Sequence, residues 1–170
     1  MNKEVNYLSS LNDVELLPKV IDAVNIFKEY GYKIFIITNQ SGIAKGIIEE
    51  KMLILINNKL INLLGGKSKI DDIFYCPHDK SENCNCRKPK PGLITNASKK
   101  YNIDLNKSYI IGDKLIDIET GINAGCKTIL VSTGYGKTEK YKITNFIKPN
   151  FIVNDLYDAA ILISGKAEYK

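Results

Sequence analysis

The residues best suited to chemistry form a short cluster that holds three of the four cysteines and the only histidine of the chain. Cys76 and His78 are followed, after five residues, by Cys84 and Cys86. Three thiolates and one imidazole suit zinc in closed tetrahedral coordination, which leaves no position for a reactive water. The alternative is three incidental cysteines in a loop, but the sole histidine lies inside the cluster and favours a metal site over a disulfide framework. The pattern therefore predicts a structural zinc site.

Hydroxyl and amide side chains follow the apolar run of residues 33–38 in the order Thr38, Asn39, Gln40 and Ser41, and a glycine comes next. In an open parallel sheet, ligands bind beyond the carboxyl ends of the strands. These side chains can donate hydrogen bonds to phosphate oxygens there. The alternative is an ordinary strand-to-helix turn rich in Asn, Ser and Gly.

Two adjacent cations, Arg87 and Lys88, come directly after the last cysteine of the cluster and before two prolines. A metal site on one side and a proline turn on the other would hold them rigidly, which suits the capture of an anion. A solvated basic turn is the alternative.

An acid also follows a strand further along the chain, where the apolar run 108–111 leads into Gly112 and Asp113. A carboxylate at this place is the hard oxygen ligand that a magnesium ion bound with a substrate phosphate needs. Lys114 is a candidate contact for that phosphate. Asp117 lies one helical turn on, where it either orients the site or favours the helix N-terminus through the dipole.

The spacing of apolar residues alternates between helix and strand along the whole chain. Strands are predicted at residues 33–38, 72–76, 108–111, 127–131 and 151–153, and helices at residues 17–30, 49–64, 91–101, 115–124 and 156–164. Residues 132–136 are predicted to be a loop. This alternation indicates a three-layer α/β fold with a doubly wound parallel sheet. The length of 170 residues fits one domain over residues 1–170.

Composition excludes several classes of protein. The net charge of +5 is scattered instead of forming a basic stripe, so we expect no nucleic-acid partner. No apolar run reaches the about 18 residues of a membrane span, and the polar N-terminus has no signal-peptide core, so we expect a cytoplasmic protein without a membrane partner. Cys126 begins an apolar run and is predicted to be a buried small side chain.

The four motifs, in this order, resemble those of the D-glycero-D-manno-heptose 1,7-bisphosphate phosphatases and the related histidinol-phosphatases of the haloacid dehalogenase superfamily. The resemblance runs from Asn2 to about Ser164. The Pro91-Gly92 step after Lys90 is more similar to the heptose branch than to the histidinol branch. The resemblance implies a magnesium-dependent phosphatase that removes the 7-phosphate of the heptose bisphosphate, with histidinol phosphate as the alternative substrate. It also implies a small phosphorylated sugar as the partner, and we expect the chain to be a monomer.

The resemblance implies roles for the residues that match the family's motifs. Thr38 and Lys88 would stabilise the transferring phosphoryl group, Asp113 would hold magnesium, and the four cluster residues would hold zinc. Further residues would contact the substrate: Glu4, Asn6, Tyr7, Asn39, Gln40, Ser41, Arg87 and Lys114. Among these, Arg87 would recognise the second phosphate.

The family's attacking residue is the first Asp of an Asp-x-Asp element at the end of the first strand, and the second Asp is the general acid and base. The printed sequence holds no Asp-x-Asp. We therefore expect a chain that lacks the first, central strand of the family, is inactive as written, and aggregates through the neighbouring strands. Two readings are open: a phosphatase with an N-terminal truncation, or a relative that binds phosphorylated sugars without hydrolysing them. A zinc-knuckle nucleic-acid module is a third, which leaves Thr38 and Asp113 unexplained.

Overall fold

Strands and helices alternate along the chain in the computed structural model, which describes residues 7–66 and 69–165. The described strands are β1 (Phe35–Asn39), β2 (Asp72–Cys76), β3 (Tyr109–Gly112), β4 (Lys127–Val131) and β5 (Phe151–Val153). The described helices are α1 (Val20–Glu29), α2 (Glu50–Leu63), α3 (Gly92–Tyr101), α4 (Leu115–Ala124), α5 (Gly136–Glu139) and α6 (Leu156–Ser164). Short 3-10 turns lie at Leu11–Asp13, Lys80–Glu82, Leu105–Lys107 and Lys140–Lys142.

Several predicted bounds, those of β1, β3, α2 and α3, differ from the observed ones by one or two residues. Two further differences have local backbone reasons. Helix α1 begins at Val20 instead of residue 17, because Lys19 has a left-handed conformation (φ 59°) that cannot be part of the helix. The predicted loop 132–136 runs into the short helix α5, since Glu139 donates its backbone N–H to the carbonyl oxygen of Tyr135.

All described strand pairs are parallel, which confirms the predicted α/β class. β1 pairs with β2, and β4 pairs with both β3 and β5. β4 is buried from Thr128 to Val131, whereas β1 and β3 are half-buried. Among the described strands β1 pairs with β2 alone and β3 with β4 alone. That the chain lacks the first, central strand of the family stays a prediction.

The chain divides into two units. The first comprises residues 1–84 and 160–170. One of its core clusters lies where the first 3-10 turn meets α2, and it contains Val14, Ile48, Leu53 and Ile56. The register of its sheet sets Thr38 opposite Tyr75 and Asn39 opposite Cys76. The carboxyl ends of β1 and β2 therefore lie side by side.

The second unit comprises residues 85–159. Helix α4 packs on its sheet through Leu115 and Ile118, which form a core cluster with Leu130 of β4. Two further side chains, Ile143 and Ile147, cover this cluster from the segment that follows α5. The packing fixes the start of α4 directly after the end of β3. No helix in the described part of the chain is long and apolar enough to span a membrane.

Candidate active site and metal centre

The predicted metal ligands come together in the structure. The ligand atoms of Cys76, His78, Cys84 and Cys86 all lie within 4.8 Å of one another. The sulfur of Cys76 is 3.5 Å from that of Cys84 and 3.6 Å from Nδ1 of His78. Zinc–ligand bonds of about 2.0–2.3 Å give tetrahedral edges of about 3.5–3.8 Å, so this spacing fits one zinc ion. None of the four cysteines of the chain is in a disulfide. The cluster is compatible with zinc.

The loop between the ligands is shaped by its own polar side chains. Asp79 accepts a hydrogen bond from the backbone N–H of Ser81 at 3.3 Å, and Glu82 accepts one from the backbone N–H of Asp79 at 2.6 Å. This capping box forms the 3-10 turn Lys80–Glu82, and Asn83 ends it in a left-handed conformation. The reversal of the chain returns Cys84 to Cys76.

The loop after β1 carries the candidate phosphate donors. The Gln40 backbone N–H donates to the Cys76 carbonyl at 2.7 Å, and the Gln40 side-chain amide donates to Thr38 Oγ1 at 3.2 Å. Gly42 allows a close approach, because a Cβ there would lie 3.0 Å from the Tyr7 ring and 3.1 Å from Ile48. The Thr38 hydroxyl and the Gln40 amide therefore stand together at the strand end.

Tyr7 lies beside this loop and is held by residues that the sequence analysis did not single out. Lys45 Nζ donates to the Tyr7 hydroxyl at 3.1 Å and is 3.6 Å from Asp79 Oδ2. The hydrogen bond from Lys45 lowers the pKa of Tyr7 and raises the pKa of Lys45. Glu4 and Asn6, also predicted to contact substrate, lie outside the described residues.

The basic turn of the second unit is tied to α4. Lys88 Nζ is 2.5 Å from Asp117 Oδ1, and both side chains are largely buried. Asp117 Oδ2 also accepts the backbone N–H of Lys114 at 3.3 Å. A Cβ on Gly112 would lie 2.4 Å from the Asp117 Cβ, so only glycine leaves room for the acid. Of the two roles considered for Asp117, the contacts favour orientation of the site over a dipole effect alone.

Asp113 stands at the carboxyl end of β3, as the sequence predicted. Its Oδ2 accepts the backbone N–H of Tyr135 at 3.0 Å, so that Oδ1 can still serve as a hard ligand for Mg²⁺. The ammonium of Lys114 lies 3.8 Å from the centre of the Tyr135 ring. Tyr135 lies in the segment that follows β4. Its place beyond the carboxyl end of a parallel strand, like those of Thr38 and Asp113, is the signal by which the sequence could have revealed it.

Comparison with known proteins identifies the family. Residues 85–159, which coincide with the second unit, match the family model described as HAD-hydrolase-like. Over 148 residues the chain is 44% identical to the D-glycero-alpha-D-manno-heptose-1,7-bisphosphate 7-phosphatase of Photorhabdus laumondii, which covers 82% of this chain and 81% of that protein. This chain belongs to the D-glycero-D-manno-heptose-1,7-bisphosphate 7-phosphatase family.

Other members of the family span almost the whole chain. The D-glycero-beta-D-manno-heptose-1,7-bisphosphate 7-phosphatase of Pasteurella multocida is 34% identical over 97% of this chain and 92% of its own. The crystal structure of the D,D-heptose 1,7-bisphosphate phosphatase from B. bronchiseptica, complexed with magnesium and phosphate, has a TM-score of 0.89 at 28% identity. The matched region covers 98% of this chain and 93% of the B. bronchiseptica chain. Membership of the 7-phosphatase family confirms the resemblance that the four motifs carried.

Proposed function

We propose that this chain has the fold and the binding groups of a Mg²⁺-dependent phosphatase that acts on the 7-phosphate of D-glycero-D-manno-heptose 1,7-bisphosphate. The observation that carries the proposal is the 44% identity to a phosphatase of that name. The contacts at the strand ends support it, because Thr38, Lys88 and Asp113 are each held by a neighbouring residue: by Gln40, by Asp117 and by the backbone of Tyr135.

Two residues stabilise the transferring phosphoryl group in this proposal. The Thr38 hydroxyl donates to a phosphoryl oxygen, supported by Asn39, Gln40 and Ser41. The Lys88 ammonium neutralises the charge that develops on the equatorial oxygens. Its ion pair with Asp117 keeps the long side chain in one place, which lowers the reorganisation needed during the reaction.

The metals have separate tasks. Asp113 is the Mg²⁺ ligand of this chain, and bound Mg²⁺ would neutralise phosphate charge at the end of β3. Cys76, His78, Cys84 and Cys86 hold a structural zinc, because a closed set of four protein ligands leaves no coordination position for substrate.

Recognition of the sugar falls to residues around these groups. Arg87 pairs with the second phosphate, Lys114 contacts the substrate phosphate, and Tyr7 contacts the sugar. The relatives are named for both anomers, alpha at 44% identity and beta at 34% identity, so both belong in the test. A monomeric state and a cytoplasmic location stay predictions from the sequence.

The attacking carboxylate is not among the printed residues, which contain no Asp-x-Asp. The family's covalent route needs it, because charge stabilisation alone does not supply an attacking group. One form of the proposal is that hydrolysis requires residues upstream of Met1. The other is that this chain binds the sugar phosphate without hydrolysing it.

The decisive experiment compares the 170-residue chain with a chain extended upstream to any Asp-x-Asp that the coding DNA encodes. Calorimetric titration with each anomer in the presence of Mg²⁺ measures binding, and phosphate release measures hydrolysis. We expect both chains to bind and only the extended chain to release phosphate. If neither chain bound either anomer, the proposed substrate would be wrong. Ordinary turnover by the 170-residue chain would refute the assignment of the nucleophile to an absent segment.

A further inference from the structure

One loop touches three consecutive residues at the start of α4. This segment, residues 132–139, is called the Tyr135 loop. The Tyr135 backbone N–H donates to Asp113 Oδ2 at 3.0 Å, and its ring lies 3.8 Å from the Lys114 ammonium. At the next position, the Leu115 backbone N–H donates to Glu139 Oε2 at 2.9 Å. The candidate Mg²⁺ ligand, the candidate phosphate contact and the helix N-terminus are therefore held by the same loop.

The backbone of the Tyr135 loop is fixed by the glycines on both sides of Tyr135. Gly134 has a φ of 59°, a conformation that glycine adopts without strain. A Cβ on Gly136 would lie 1.8 Å from the Val131 carbonyl oxygen, so the loop returns against the end of β4 at a distance that only glycine permits. The loop backbone therefore fixes the direction in which the Tyr135 side chain leaves the main chain.

The ring has a direct effect on Lys114. The Lys114 side chain is solvent-exposed, and a four-carbon ammonium chain samples many rotamers when nothing holds it. A cation over the face of an aromatic ring is attracted by the ring's quadrupole, and 3.8 Å is well inside the range of about 6 Å for this interaction. The ring therefore favours one position of the ammonium, above the face of the ring.

We propose that Tyr135 is a positioning residue that sets the Lys114 ammonium for phosphate binding through its ring and orients Asp113 through its backbone N–H. The inference rests on the proposed function of the same site. The two contacts respond differently to a substitution of Tyr135. Loss of the ring alters phosphate binding through Lys114, whereas the backbone N–H that donates to Asp113 remains.

The first test needs no substrate. Lysines of the whole chain are reductively methylated with ¹³C, and the Lys114 signal is assigned by its loss in Lys114→Gln. A cation above a ring shows an upfield ring-current shift. We expect this shift in the wild type and in Tyr135→Phe, which keeps the ring, and its loss in Tyr135→Leu. An unshifted Lys114 signal in the wild type would overturn the proposal.

The second test measures binding by calorimetry with three probes: Mg²⁺ alone, inorganic phosphate with Mg²⁺, and the heptose bisphosphate with Mg²⁺. Tyr135→Leu should weaken phosphate and sugar-phosphate binding about fivefold, the size expected for an exposed cation–π contact. Its Mg²⁺ affinity should equal that of the wild type, and Tyr135→Phe should restore phosphate binding. Equal losses in the Leu and Phe variants, or a loss of Mg²⁺ affinity in Tyr135→Leu, would contradict the positioning role.

The probes also separate this inference from the proposed substrate. A wild-type chain that binds phosphate but neither anomer of the sugar would refute the substrate, while the comparison of Leu with Phe on phosphate would still decide the role of Tyr135. A wild-type chain that binds no phosphate in any form would refute both.

Discussion

Lys88 and Asp117 form an ion pair whose side chains are 15% and 13% exposed. Removal of one charge from such a buried pair leaves the other in a low dielectric, at a cost of about 3 kcal/mol. We expect Lys88→Met, which keeps the length of the side chain, to lower the free energy of unfolding by about that amount in a urea titration.

Lys107 provides the matched control. It pairs with Asp104 at 3.8 Å, but the two side chains are 85% and 51% exposed, and solvent screens the pair. Lys107→Met should change the free energy of unfolding by less than about 0.5 kcal/mol. A loss in Lys88→Met as small as in Lys107→Met would show that the Lys88 contact contributes little to folding.

Cys84 is the residue at which to test the metal centre. Elemental analysis of the purified wild type should find about one zinc per chain. Cys84→Ser should reduce the zinc content and the melting temperature together, because metal affinity of this kind contributes to folding. Cys126→Ala, at a buried cysteine outside the cluster, should keep its zinc. Unchanged zinc in Cys84→Ser would contradict the ligand assignment.

At the scale of elements, the N-terminus of α4 depends on Glu139. Hydrogen bonds from Lys142 and from the Leu115 backbone N–H lower the pKa of Glu139 below its ordinary value of 4.5. A carboxyl with a lowered folded-state pKa stabilises the protein above the unfolded-state pKa, and the contribution is lost as the pH falls through the folded-state pKa. Glu139→Gln should therefore cost about 1 kcal/mol near neutral pH.

The stabilisation that Glu139 contributes should also depend on pH. The difference in unfolding free energy between wild type and Glu139→Gln, measured by urea titration at several pH values, should be constant above about pH 5 and shrink below pH 4.5. A difference that grows on acidification would show that the carboxylate does not stabilise the helix end.

Elements were predictable from the sequence where a short-range pattern decides them. The strand Asp72–Cys76 and the helix Leu156–Ser164 have the predicted bounds, because apolar spacing and the flanking turn residues act within the segment. The start of α1 was not predictable, since Pro18 suggests an earlier start and nothing local marks Lys19 as left-handed. Tyr135 was missed for a different reason: its contacts to Asp113 and Lys114 join positions that are distant in sequence.

At the scale of the whole molecule, the alternation of strand and helix patterns was enough to predict the α/β class, because parallel strands need a crossover connection between them. The spacing of the cysteines and the histidine predicted the metal cluster, whose four ligands come from eleven consecutive residues. The partners of the site residues, such as Lys45 for Tyr7 and Asp117 for Lys88, depend on side-chain packing that spacing does not encode.

Zinc removal should act unequally on the two units. Three of the four ligands, Cys76, His78 and Cys84, belong to the first unit, and Cys76 ends β2. After treatment with a chelator, hydrogen exchange should accelerate most in β1, in β2 and in the segment that carries the ligands. β3 and β4 should keep more of their protection, because their packing on α4 does not involve the cluster. Uniform acceleration throughout the chain would indicate that zinc supports both units equally.

Because Cys126 is buried, labelling of the other thiols can report the zinc occupancy of the protein. Burial raises the pKa of Cys126 to about 11, so at neutral pH it is a protonated thiol, which is a poor nucleophile. The other three cysteines are the proposed zinc ligands, and coordination shields a thiolate from alkylation. A thiol reagent should therefore find almost nothing to label in the zinc-loaded chain. After chelation it should label the half-buried Cys84 and Cys86 first and the buried Cys76 as the end of β2 loosens, with Cys126 labelled only on unfolding. The number of rapidly labelled sulfurs would report metal occupancy in a preparation without any added probe.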